Sequence, residues 1–306
     1  MWPERPERCQ GTSGNGARGV FASPPARENA PLFGALEMTA LVNKYRHVFT
    51  MGLQGGLVYR WNFLVRVIFS LLQLAVVTAL WRAAYRDTAS IGGHSFQQTM
   101  SYFLVMTIAN YFISAFNEDF QIGEEIRSGT INQFLTKPID YFVYRLTLFF
   151  ANRSITGMIV LIPIIACLWL VADFLPRDVA WWQMGVAVVA FFLSALIQFS
   201  IAYCFGLLAF WFLEIQGFVI LSLAVETALS GQMFPLDLLP PGWLALLSAL
   251  PFYYQAYFPV AIMTGRIAPE SIGPGLIWQL GWTIGIIFIG RLLWARGLRR
   301  HTAVGG

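Results

Sequence analysis

Apolar residues gather into blocks about as long as a bilayer is thick, and the shorter stretches between them carry most of the charge. Crossing roughly 30 Å of hydrocarbon takes about 20 helical residues at about 1.5 Å each. Blocks of this kind lie at 61–81, 100–116, 154–172, 181–213, 217–234 and 272–294, and each is predicted to be a transmembrane helix. The fourth is longer than a bilayer requires, so it is expected to tilt or to project beyond the lipid. Residues 243–263 form one more apolar stretch, interrupted by Pro251 and Pro259, which remove backbone donors and break helices. A seventh crossing there would leave the C-terminal charges on the wrong side, so a broken, re-entrant or interfacial hairpin is expected. Such backbone is tolerated at membrane depth where protein or water covers it.

Ahead of the first span, Leu41, Tyr45, Val48, Phe49 and Leu53 recur at helical spacing, while Asn43, Lys44, Arg46 and His47 occupy the other side. A helix lying in the headgroup region has this pattern, as does a solvated helix packed on a neighbour. Residues 1–37 are rich in Pro, Gly, Arg and Ser and lack a signal-peptide core. They are predicted to be a disordered leader, or to precede a true start at Met38, because they bury too little to offset their ordering entropy.

Composition agrees with a lipid solvent: 57% of residues are hydrophobic and only 12% charged, where a soluble domain carries about a quarter. Lys and Arg set the orientation. Lys44, Arg46, Arg60, Arg66, Arg127, Lys137, Arg145, Arg153, Arg291, Arg296, Arg299 and Arg300 fall on one side of six crossings, and Arg82, Arg86, Arg177 and Arg266 on the other. Both termini are therefore expected in the cytoplasm, with the chain in the inner (cytoplasmic) membrane. The net charge of +4 is dispersed and gives no nucleic-acid surface. Cys9, Cys167 and Cys204 form no framework, and His47, His94 and His301 are too far apart in sequence for ligand spacing, so no metal site is expected. No nucleophile–base pair or carboxylate pair emerges from spacing, and no catalytic residue is expected. A G-x-x-x-x-G-K-[ST] phosphate loop is absent, so ATP has no expected site on this chain.

Residues 117–140 (NEDFQIGEEIRSGTINQFLTKPID) join the second and third spans and are far longer than a tight turn needs. Phe120, Ile122, Ile126, Ile131, Phe134 and Leu135 interleave with Glu118, Asp119, Glu124, Glu125 and Arg127; Gly129 offers a bend and Pro138 a stop. The segment reads either as an amphipathic helix that fits a partner's groove or as a solvated surface loop.

Gly123-Glu124-Glu125-Ile126-Arg127-Ser128-Gly129-Thr130-Ile131, followed by Leu135 and Lys137-Pro138-Ile139, resembles the coupling-helix region of type-2 ABC exporter permeases. Leu229-Ser230-Gly231, Pro235-Leu236, Leu239-Pro240, Leu250-Pro251-Phe252, Pro259 and Gly265 resemble the end of the fifth span and the re-entrant part of that family. The likeness covers about 38–300. It implies an all-α integral membrane fold: an N-terminal interfacial helix, six transmembrane helices, a cytoplasmic coupling helix between spans 2 and 3, and a re-entrant segment between spans 5 and 6. The permease domain is then 38–306. The resemblance further implies a second permease, identical or homologous, and two ATPase subunits that hold ATP and magnesium. Glu124, Glu125, Arg127 and Ile131 are the implied ATPase contacts.

Glu226 stands inside the fifth span, where an ionisable group costs several kcal/mol unless paired or hydrated. It reads as a pathway residue, as a contact for a cationic substrate, or as a protonated or hydrogen-bonded glutamate that packs helices. Asn110 and Gln198 read as cavity-lining residues or as hydrogen bonds between helices. Two rival functions stay open: an ion-gradient transporter with Glu226 as proton carrier, and a polytopic lipid-processing enzyme, for which no polar cluster can be assembled.

Overall fold

The computed structural model describes residues 30–58, 60–115, 118–166 and 179–300, and among these the backbone is helical with no strand. Two compact units divide the chain, Met1–Asn43 and Lys44–Gly306. In the smaller, the described residues open helix α1 (Ala30–Val58), with Pro31 in its first turn, where a missing N–H removes no intrahelical bond. Residues 30–37 of the expected leader fall within this helix, and 1–29 lie outside the described residues.

The larger unit is a bundle of α2 (Arg60–Ala84), α3 (Phe96–Ile113), α4 (Glu118–Arg127), α5 (Asn132–Leu135), α6 (Tyr141–Ala166), α7 (Trp181–Leu207), α8 (Gln216–Leu229), α9 (Pro241–Ser248), α10 (Phe258–Met263) and α11 (Pro269–Arg300). Helix α3 begins earlier than hydropathy alone predicts. The Ser95 side chain accepts from the Gln98 N–H while the Gln98 side chain accepts from the Ser95 N–H, a capping box that satisfies two orphan donors at once. Apolar along most of its length, α3 buries Met100, Tyr102, Phe103, Val105 and Met106 at the heart of the bundle.

Small buried residues on α7, Ala187, Ala190 and Ser194, face the α10–α11 side, while Phe199 and Tyr203 pack against Phe142 and Phe149 of α6. Ile277, Trp278, Ile284 and Phe288 of α11 are large, apolar and exposed, which suits a surface that faces lipid. By length and composition, three helical runs can cross a membrane among the described residues, opening at Phe96, Trp181 and Pro269. A fourth exists if Pro241–Ser248 and Tyr253–Met263 count as one bent span. Two shorter apolar helices, Ile68–Ala84 and Gln216–Leu229, accompany them. The third expected span runs through α6, and its final part, 167–172, lies outside the described residues.

The proline-broken stretch turns by 86° between its two helices. A wide π turn at Tyr253–Tyr257 leads into α10. In such a turn the N–H five residues on serves each carbonyl, and for Tyr254 that residue is Pro259, which has none. The Tyr254 carbonyl instead accepts from Ser194 Oγ at 2.9 Å and lies 3.0 Å from Gln279 Nε2 of α11. Neighbouring helices thus satisfy the broken backbone, the condition for keeping it in an apolar interior.

Candidate functional site

The α3–α6 connection folds into an elbow of two short helices. Glu118, Gln121 and Glu125 recur at helical spacing and share one side of α4; Tyr141 and Arg145 lie one turn apart on α6. The two faces meet. Arg145 Nη2 donates to Glu118 Oε2 at 2.7 Å and to Gln121 Oε1 at 2.9 Å, Nη1 reaches Glu125 Oε1 at 3.2 Å, and Tyr141 Oη donates to Glu125 Oε2. The Arg145 and Glu118 side chains are 4% and 6% exposed, so the centre of this cluster is closed to solvent, while Gln121 is exposed and Glu125 partly so.

Ile122 and Ile126 form the apolar side of α4 and are buried against the end of α7. Approach there is close enough that a Cβ on Gly206 would fall 2.7 Å from the Ile122 Cβ and 2.9 Å from the Asp119 carbonyl oxygen. After α4, Gly129 takes a φ of 74°, the left-handed turn that glycine adopts without penalty, and the chain reverses into α5. Arg127 Nη1 donates to the Leu213 carbonyl at 2.9 Å, fixing α4 to the α7–α8 turn. Beyond α5, Asp140 accepts the Val143 N–H at the start of α6 and pairs with Arg291 of α11. Burial would raise the Asp140 carboxyl, but hydrogen bonding and the Arg291 charge outweigh it and hold the group below its usual range.

A second polar region lies deeper. A cavity of about 700 Å³ is framed by α2, α3, α7, α8 and the π turn. Helix α8 presents Ile220, Leu221 and Leu223 outward and buries Val219 and Glu226, so its one carboxylate faces the bundle. Glu226 Oε2 accepts from Gln198 Nε2 at 2.9 Å and Gln255 Nε2 at 3.1 Å, and Oε1 accepts from Ser222 Oγ at 2.8 Å. Asn110 lines the same cavity.

The sequence from residue 71 to residue 305 matches the family model described as ABC-2 family transporter protein. The chain belongs to that family. No curated protein matches it. An ABC-2 permease is a multi-pass membrane protein of a transport system and associates with an ABC ATPase.

Within this permease the four residues implied as ATPase contacts divide into two pairs. Glu124 and Arg127 face outward, the Glu124 side chain being 71% exposed. Glu125 belongs to the Arg145 cluster, and Ile131 is fully buried among Tyr141, Phe142 and Phe149. Ile131 packs inside the elbow, and Glu125, 23% exposed, joins that packing at its edge. The permease also brings Glu226, Gln198 and Asn110 together at one cavity. Sequence reasoning missed Arg145, whose role depends on a residue pattern divided between two helices, and Gln255, which sits in a turn that periodicity does not describe.

Proposed function

We propose that this chain is the membrane subunit of an ATP-driven ABC exporter, moving substrate across the cytoplasmic membrane with energy from a separate ATPase. In this reading six helices cross the bilayer, both termini are cytoplasmic, and the bent Pro241–Met263 segment is re-entrant. Two ATPase subunits, holding ATP and magnesium, dock beneath this permease and a second, identical or homologous one. The α4–α5 elbow is the docking element.

The observation that carries this reading is the elbow's construction. Its inner side is bonded to α6 through Arg145, its apolar side is seated on α7, and Glu124, Arg127, Ser128, Thr130 and Leu135 are left exposed. A lever must be stiff toward the part it moves and accessible toward the part that drives it. ATP acts by favouring one arrangement over another, so the exposed side contacts the ATPase differently in the two states. The pair Glu124→Arg with Arg127→Glu reverses the exposed charges and spares the buried cluster. The double variant is expected to assemble in the membrane, lose co-purifying ATPase and lose ATP-dependent export. Full retention of both would sink the docking assignment.

A further inference from the structure

Among the described residues the two buried carboxylates are Glu118 and Glu226, and Glu226 differs in having no cation. Glu118 and Glu125 share Arg145, and Asp237 is bonded to Arg266. Among the described residues no Lys, Arg or His pairs with Glu226, although its residue is only 6% exposed. Both of its oxygens act as acceptors, and all three donors are neutral. Neutral amides and hydroxyls solvate a negative charge without cancelling it, and buried charges are ordinarily paired. One half of an ion pair is therefore built into the cavity wall.

A second atom points the same way. Gln255 is 1% exposed, its Nε2 is used on Glu226, and its Oε1 has no hydrogen-bond partner. Gln255 thus keeps an unsatisfied acceptor buried beside the carboxylate, while Glu226 itself lines the cavity. A primary ammonium has three donors and no acceptor, which suits the Glu226 carboxylate; a carboxylate or phosphate would meet repulsion from Glu226. The remaining wall mixes apolar residues, Phe69, Phe103, Met106 and Met233 among them, with polar ones such as Ser70, Gln73 and Thr107. The other charged lining residue, Arg153, sits over the Phe149 ring at 5.2 Å from its centroid. A volume of about 700 Å³ lies within the roughly 300–1,000 Å³ usual for small-molecule sites.

We propose that this cavity binds the protonated amine head of an amphiphile, with Glu226 as counter-ion and the apolar side chains of the wall holding the tail. As a transport site it rests on the exporter reading, but binding is a property of the permease alone. The two are separable: loss of ATPase docking leaves amine binding untouched, and loss of amine binding leaves docking untouched.

The test is calorimetric titration of the purified full-length permease, in phosphatidylcholine nanodiscs, with octylamine, octyltrimethylammonium and octanoate. Octylamine is expected to bind, octyltrimethylammonium to bind more weakly for want of N–H donors, and octanoate not to bind. Glu226→Gln should weaken octylamine by about tenfold or more while the unfolding temperature stays near wild type. Asn110→Phe narrows the cavity without touching the carboxylate and should weaken it as well, so the proposal stays testable if one of the two variants fails to fold. Equal octylamine affinity in Glu226→Gln and wild type, or octanoate competing as well as octylamine, would overturn the proposal. Adding phosphatidylethanolamine to the nanodiscs identifies the source of the amine: displacement of octylamine supports a lipid headgroup, and unchanged binding supports a soluble or membrane-dissolved amine cargo.

Discussion

At the elbow, Glu118 and Glu125 close around Arg145 with Gln121 and Tyr141; in the cavity, Glu226 is held by Gln198, Gln255 and Ser222. Each has buried charge at its centre, Arg145 with Glu118 in one and Glu226 in the other. They differ in what completes them. The elbow cluster pairs Arg145 Nη1 and Nη2 with carboxylates, so its geometry fixes α4 against α6 and its buried charges balance. The cavity cluster is complete in hydrogen bonds to Glu226 and incomplete in charge. A charge-balanced cluster suits a strut and a charge-incomplete one suits a binding site, so the two regions divide transmission from recognition within one bundle.

Arg145→Met strikes at this contrast hardest. Removing one partner of a buried pair leaves an uncompensated charge and costs about 3–5 kcal/mol. Unfolding of the purified chain, followed by thermal or denaturant midpoint, should shift by that order. Adding Glu118→Gln should recover a good part of it, because an apolar or neutral replacement of the whole pair is often tolerated. A single variant as stable as wild type would show that α6 does not need the cluster to hold α4, and the strut reading would fail.

Gly206→Ala tests the same strut from its other side. The added methyl meets Ile122 Cβ at 2.7 Å and the backbone oxygen of Asp119 at 2.9 Å, so α4 must move away from α7. Overpacking of this kind costs about 1–3 kcal/mol, less than the loss of Arg145, and it should reduce ATPase co-purification while octylamine binding in the cavity is kept. If Gly206→Ala retained full co-purification, the seat of α4 on α7 would not matter for docking.

How far these features were legible in the sequence follows from their range. Span-length apolar blocks report on lipid directly, so 181–213 and 272–294 each anticipated a long helix, α7 and α11. Their ends shifted because capping and backbone hydrogen bonding set them: Ser95 with Gln98 starts α3 ahead of residue 100, and α7 gives way to a short tight turn at Leu208–Phe210. Gly129 and Pro259 were readable as backbone breakers because their effect is local. What they broke into was not, since the Tyr254 carbonyl is satisfied by Ser194 and Gln279, residues 60 and 25 positions away. The same reason separates the predicted contacts. Glu124 and Glu125 are equivalent in a linear motif, and only the position of Arg145 turns one inward.

The connection between α2 and α3 supplies an intermediate case, in which the effect to be measured is small. There Asp237 Oδ2 lies 2.7 Å from His94 Nε2 and 2.6 Å from Arg266 Nη1, while Tyr85 Oη donates to the His94 carbonyl. Arg266 already neutralises the carboxylate, so a second cation is surplus. Burial lowers the His94 pKa first, the Arg266 charge lowers it further, and the Asp237 charge and hydrogen bond only partly oppose them. The folded chain therefore resists a proton that the unfolded chain accepts at the ordinary value of 6.5. Linkage then gives stability that is fully present above that value and lost as pH falls through the folded pKa. Wild-type protein should show a lower unfolding midpoint at about pH 5.5 than at about pH 7.5, and His94→Gln should flatten that difference. A steeper loss in His94→Gln than in wild type would mean that protonated His94 reinforces Asp237, and that Arg266 alone does not complete this cluster as Arg145 completes the strut.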